Sequence, residues 1–268
     1  MRFLHSSLVL FISLAVTSPL FPRQIATTTQ SSPQRDPQAV ALLQASVASM
    51  GILPADSVAT GTLTISAGSS IETGKIRILT RGTDQTSEEI ETATTSQAEV
   101  YSRGVASTRD GLETKPTSLE WAVTSQSPLF PLVLLARALQ DLDVAVRYVG
   151  LEVVGNRNCY HIRTWRTFSF TPDLLDLAEL TTRDFWLDAI TGFPVKASCL
   201  RRHARGDAPV IPLEVQFSDY RNIAGILYPF TISKSWNGTP WQKISIQEVR
   251  LNTGLTDTDF SVVVGVPQ

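Results

Sequence analysis

From Leu213 to Phe260 the chain alternates apolar and polar residues in three runs divided by short turns. Leu213, Val215 and Phe217 alternate with Glu214, Gln216 and Ser218. After Asn222 to Gly225 come Tyr228, Phe230 and Ile232, and past Asn237-Gly238 come Ile244, Ile246 and Val249. A period of two between Asn/Gly turns predicts three consecutive antiparallel strands, each with one buried face. A two-residue Asn237-Gly238 loop, counted down its strands, sets Phe230 opposite Ser245 and Ile232 opposite Lys243, which puts the apolar residues on opposite faces. A three-residue loop from Trp236 to Gly238 pairs Phe230 with Ile244 and Tyr228 with Ile246, and that register is the expected one. Pro240 cannot donate to a ladder, so its strand is expected at an edge of the sheet.

The same patterning extends upstream. Asp36-Pro37 predicts a helix start, with Asp36 as the N-cap and Pro37 in the first helical position. No charge occurs from Pro37 to Ala55, whereas a surface helix would show a charged face, so this helix is expected inside something, stopped by Gly51 and Pro54. Strands are predicted at Gly61 to Ala67 and Gly74 to Arg81, with weaker signals from Ser87 to Arg103 and a turn at Asp110-Gly111. Phe130 to Leu142 predicts a second, amphipathic helix. Hairpins follow at Val144–Val154 with Cys159–Phe168, and at Arg183–Asp188 with Phe193–Arg202. Thr171 to Thr182 between them is a short helix or structured loop. The fold class is therefore α+β, mainly β: a long antiparallel sheet that must curl, its concave face covered by the two helices.

Composition narrows the function classes. The chain has 268 residues, 43% apolar and 18% charged, with a net charge of −2. Such a balance excludes wholesale disorder and carries no basic footprint for nucleic acid. Arg2, the apolar run from Phe3 to Phe21 and the small residues near Ala15 and Ser18 predict a signal peptide over residues 1–26, cleaved rather than kept as an anchor. Residues 27–35 are a polar spacer expected to be disordered, and residues 36–268 form one domain. Cys159 and Cys199 fall near opposite ends of the Arg183 to Asp188 strand in a simple meander. Two free buried cysteines are expected, against the disulfide that an exporting compartment favours.

Candidate chemistry is sparse. No GxSxG, HExxH, CxxC, phosphate-binding or dinucleotide-binding motif occurs. Beyond His5 the chain offers only His161 and His203, and His161 is expected to face solvent. Asp257 and Asp259 could pair for acid chemistry, but a TDTD run more simply caps a terminal turn. Arg205-Gly206-Asp207 reads as a polar turn. The aromatics Trp121, Trp165, Trp186, Trp236, Trp241, Phe185, Phe217, Tyr228 and Phe230 fit a ligand cavity and a packed core equally well.

The segments DPQAVALLQASVASMG, GTLTI, YVGLEVVGNRNCYHIR, FWLDAITGFPVK and the ending ILYPFTISKSWNG with ISIQEVRLNTGLTDTDF occur in the order seen in LolA/LolB-like proteins, which the chain resembles over residues 36 to 264. That family includes bacterial outer-membrane lipoprotein carriers and sensor domains of envelope-stress regulators. The resemblance implies an open half-barrel whose apolar concave face, plugged by helices, holds acyl chains. Carriers of the family also present a functional arginine near the cavity mouth, and Arg77 and Arg81 lie in the matching part of the chain. The expectation is then a periplasmic, non-enzymatic carrier or sensor, monomeric, binding a lipid or an acylated protein segment without cofactor or metal. Its lining would come from Leu42, Leu43, Val47, Leu63, Ile65, Leu132, Leu135, Phe217, Tyr228, Phe230, Ile244 and Ile246. The alternative is a cell-envelope interaction module with a filled core, pairing a partner protein along the Thr239 to Leu251 edge.

Overall fold

The computed structural model of the chain describes residues 34–124, 129–201 and 210–263. The signal and most of the spacer, together with His203 and Arg205 to Asp207, lie outside these residues. The first helix, α1 (Pro37–Met50), begins as its sequence requires: the Asp36 carboxylate accepts from the amides of Gln38 and Ala39. It stops at Gly51, whose φ is +107° and where a Cβ would sit 2.4 Å from the carbonyl oxygen of Gly225. Glycine lets the helix end rest directly on that backbone turn.

Thirteen strands follow. The first six are β1 (Asp56–Ala67), β2 (Ser70–Arg81), β3 (Gln85–Thr92), β4 (Ser96–Ser102), β5 (Val105–Asp110) and β6 (Glu113–Pro116). Helices α2 (Leu119–Thr124) and α3 (Pro131–Gln140) come next. The second series is β7 (Val144–Val154), β8 (Arg157–Arg166), β9 (Arg183–Asp188), β10 (Pro194–Arg201), β11 (Ile211–Ile223), β12 (Ile226–Trp236) and β13 (Thr239–Leu251). All belong to one sheet in the order β6-β5-β4-β3-β2-β1-β13-β12-β11-β10-β9-β8-β7. The sheet thus has two limbs joined where β1 pairs antiparallel with β13. Its edges, β6 and β7, do not meet. The sheet is nonetheless strongly curled, because β4 and β10, seven places apart in it, are joined by a 2.7 Å Glu99–Arg201 ion pair. A bulge at Thr60-Gly61 lies on the β1–β13 joint and contributes to that bend.

The inner face of the curl holds the main core. Helix α1 lies against α3, β7 and β12. Leu43, Leu63, Leu132, Leu135, Tyr228 and Ile244 are each 2% exposed or less within one continuous apolar cluster. Arg35 anchors the entry to this domain. Its guanidinium donates to the carbonyls of Ala138, Leu139, Asp141 and Val144 at 3.0–3.3 Å, the last free acceptors of α3 and its exit. Beside it, the Gln34 carbonyl accepts from the Val146 amide and the Asp36 amide donates to the Val146 carbonyl, a parallel bridge centred on Arg35.

Several register expectations are settled by a single irregularity. The β12–β13 loop is the two-residue Asn237-Gly238 turn, both residues with positive φ, pairing Trp236 with Thr239. A shift between Lys234 and Ser235 then brings Lys234 opposite Gln242 and Ile232 opposite Ile244. The bulge at Trp241 restores the apolar faces, so the three-residue loop is unnecessary and the expected pairs are displaced by two positions. Strand β13 is central, between β1 and β12, which corrects the edge assignment. Pro240 is tolerated because its pairing with β1 has already ended at Gln242. Cys159 faces Asp188 and Cys199 faces Arg183, at opposite ends of β9, and both are free and buried. Strands β5 and β6 and helix α2 have no counterpart in the sequence reading. The Thr256–Asp259 capping box closes a 3-10 turn at Asp257–Phe260, the expected role of the TDTD run.

Candidate functional site

All twelve apolar residues singled out from the sequence join the main core or pack directly against it. Nine of them are buried in one continuous cluster, and Leu42, Val47 and Ile65 pack against it. Leu42 borders a shallow depression beside Tyr160 and Leu187, and none of the twelve lines the cavity described next.

That cavity, about 260 Å³, opens at the seam between the two limbs. The residues 117–143 run from the β6 edge to the β7 edge, so α2 and α3 must cross the mouth of the curl. Leu119, Ala122 and Val123 of α2 and Leu134, Arg137 and Ala138 of α3 form one wall. Tyr101 and Gly104 from the first limb, with Val144, Thr164, Trp165, Arg166, Arg183 and Phe185 from the second, form the others. Phe168, Thr171 and Leu174 close it from the β8–β9 connection, which also exposes Phe170 and Leu175. The lining is mainly apolar, with three arginines and no carboxylate.

A band of buried charge runs beside the cavity. Lys234 of β12 donates to Glu88 of β3, and the Arg201 Nη2 contacts both carboxylate oxygens of Glu99 at 2.7 Å. Arg201 also donates to the Thr124 carbonyl at the end of α2 at 3.0 Å and lies 4.9 Å over the Trp121 ring. One guanidinium therefore ties β10, β4 and α2 together. Burial raises the Glu99 carboxyl above its ordinary value, with the Glu88 charge opposite adding to the effect and Arg201 opposing it. Burial likewise draws Arg183 below its ordinary value, and the charges of Arg137 and Arg201 reinforce that shift. Arg137 Nη2 donates to the Tyr101 hydroxyl at 3.0 Å, while its Nη1 is buried and makes no hydrogen bond.

On the outer face, His161 is covered rather than solvent-facing. Its ring stacks on Trp186 at 4.4 Å, and its nitrogens bond Glu152 and Asp184 at 2.7 Å each. The cross-strand neighbours that cover it could not be named without the β8–β9 register. Among the described residues no three His, Cys, Asp or Glu side chains gather as a metal site. Arg77 pairs with Glu89, and Arg81 with Asp257, so neither reaches the cavity. The arginines that do were overlooked, although one left a signal. Arg137 is the single charge among the ten residues Phe130 to Leu139. A guanidinium placed there is held among apolar neighbours.

No family model matches the chain, and no curated protein matches it in sequence. Solved structures do match in fold. A LolA superfamily protein from Nitrosomonas europaea superposes with a TM-score of 0.55 at 13% identity, covering 83% of this chain and 97% of the other. A DUF1329 family protein from Desulfovibrio piger gives 0.54 at 15% identity, over 83% and 97%. A domain provisionally assigned to outer membrane lipoprotein sorting, from Vibrio parahaemolyticus, gives 0.55 at 15%, over 83% and 96%. The chain has the fold of LolA superfamily domains.

Proposed function

We propose that this domain is an exported, non-enzymatic carrier or sensor of the cell envelope that shelters an acyl chain, as a lipid or an acylated protein segment, from water. The observation that carries the reading is the apolar cavity under α2 and α3, set in a fold shared with lipoprotein-sorting domains. A dry cavity of about 150 Å³ already holds a benzene ring, and burial returns roughly 0.8 kcal/mol per CH₂. At about 260 Å³ the cavity suits the end of a chain. A longer chain would continue past Leu134 toward Leu132 and Leu135, making the twelve core residues its lining as α1 and α3 separate. Leu119, Phe170 and Leu175, exposed near the mouth, give an apolar approach. The test is native mass spectrometry of protein purified without detergent, followed by organic extraction. Co-purified or added acyl ligand that is released on unfolding supports the reading. Protein that stays empty when offered fatty acids and lipopeptides sinks it.

A second reading has its own observation. The sheet's open edge at β7 exposes Val149, Leu151 and Val153, and this edge, rather than β13, would serve strand addition by a partner protein.

A further inference from the structure

The cavity contains more positive charge than an acyl tail requires. Of its three arginines, Arg166 faces Asp143 and Asp141 at 3.6 and 3.9 Å. Glu99 of β4 is held on both oxygens by Arg201. Arg137 has no acidic partner within ion-pair distance among the described residues, and its Nη1 is buried without a hydrogen bond. It stands close enough to Arg183 for the two charges to repel, which burial in an apolar wall intensifies. A buried donor without an acceptor is costly, and a charged one more so. An anion at this point would satisfy the donor and offset the repulsion.

We infer that the cavity is specific for an acidic amphiphile, whose carboxylate or phosphate ends on Arg137 while its tail lies against Leu134, Val144, Phe168 and Phe185. This rests on the carrier reading and adds a head-group requirement to it. The apolar residues named lie on α3, β7, β9 and the β8–β9 connection around that guanidinium, so both halves of such a ligand meet their own chemistry. A wider groove of about 480 Å³ on the outer face lacks this property. It mixes Arg147 and Arg163 with Glu179 and Asp184 and neutralises itself.

The test compares dodecanoate, dodecyl phosphate and dodecanol by titration calorimetry below their aggregation range, with inorganic phosphate as a tail-free control. The wild-type protein should bind either acid at least about tenfold tighter than the alcohol, the ratio expected of one charge-assisted hydrogen bond. Arg137→Gln should bring the acid-to-alcohol affinity ratio down to about one, whatever it does to tail affinity, and Arg137→Lys should retain most of the preference. A cooperative thermal melt like that of the wild-type protein reports that the variants fold. Equal affinity of the wild-type protein for acid and alcohol overturns the head-group requirement and leaves the carrier reading standing. A preference that survives Arg137→Gln overturns the assignment to Arg137. Binding of inorganic phosphate as tight as dodecyl phosphate overturns the amphiphile. If no chain binds at all, the carrier reading falls and this inference with it.

Discussion

Replacing Lys234 with methionine isolates a buried charge pair inside the sheet. Lys234 is 5% exposed and Glu88 8%, and the ammonium donates across the curl from β12 to β3. Glu88 lies directly opposite Glu99 in the β3–β4 ladder. Removing the ammonium leaves a carboxylate with little access to water and a second carboxylate facing it. Breaking a buried pair from one side costs about 3–5 kcal/mol, whereas replacing both partners by apolar groups of similar volume is near neutral. Urea unfolding at neutral pH, followed by tryptophan fluorescence, should therefore show Lys234→Met losing about 3–5 kcal/mol. The Lys234→Met, Glu88→Met double variant should recover most of that loss. The deficit should also shrink in acid. Glu99 is already raised by burial and by Glu88, while Arg201 and Lys234 oppose the shift, so losing Lys234 raises it further. A carboxyl raised in the folded state favours folding below its ordinary pKa, and that contribution is lost as pH rises through the folded value. A single variant costing under about 1 kcal/mol, or a double variant as unstable as the single, would refute the reasoning.

Gly61→Ala should destabilise by about 1–3 kcal/mol or more. Its Cβ would lie 2.2 Å from the Ser245 carbonyl oxygen and 2.9 Å from the Ile246 Cα, backbone that cannot swing aside, at the joint of the two limbs. An unchanged melting temperature would contradict this. Asp56 accepts from the amides of Thr253, Gly254 and Leu255 and from the Thr253 hydroxyl at 2.6–3.2 Å. Burial pushes its carboxyl up, but these bonds together hold it below the ordinary value. A lowered carboxyl stabilises the fold above its ordinary pKa, and the contribution is lost as pH falls through the folded value. Asp56→Asn should cost about 1–3 kcal/mol at neutral pH and flatten the acid limb of the stability profile, measured by urea unfolding across pH. A variant that keeps the wild-type acid slope would place the effect elsewhere.

The architecture was legible because it rests on local signals. Asp36-Pro37, Asn237-Gly238 and the period-two runs each specify backbone geometry within a few residues, and the structure places elements at all of them. Strands β5 and β6 escaped because VASTRD and ETKP are short and polar, lying at an edge with little to bury. The β12–β13 register failed by one bulge, since a single unpaired residue at Trp241 leaves no mark in a hydrophobic pattern. The cavity was illegible for another reason. Leu132 and Leu134 are equally apolar, two residues apart and both in the core cluster, yet of the two only Leu134 borders the cavity. That difference arises from how far the limbs curl, a property of the whole sheet and not of any segment.

The chain order itself accounts for where the open space lies. A sheet whose first six strands and last seven strands meet at β1 and β13 leaves β6 and β7 as the two ends of the curl, and the chain must pass between them. That passage carries α2 and α3 across the mouth. The strands are held by continuous ladders, but these helices make no ladder bond and rest on side chains: Arg201 at the end of α2, Arg137 against Tyr101, and Arg35 beneath α3. Helices held by side chains can separate from a sheet without breaking its hydrogen bonds, whereas the region under α1 is closed over by buried leucines. A ligand of the proposed kind would therefore meet least resistance at the seam, where the cover is short, the lining mainly apolar, and the Arg137 Nη1 has no hydrogen bond.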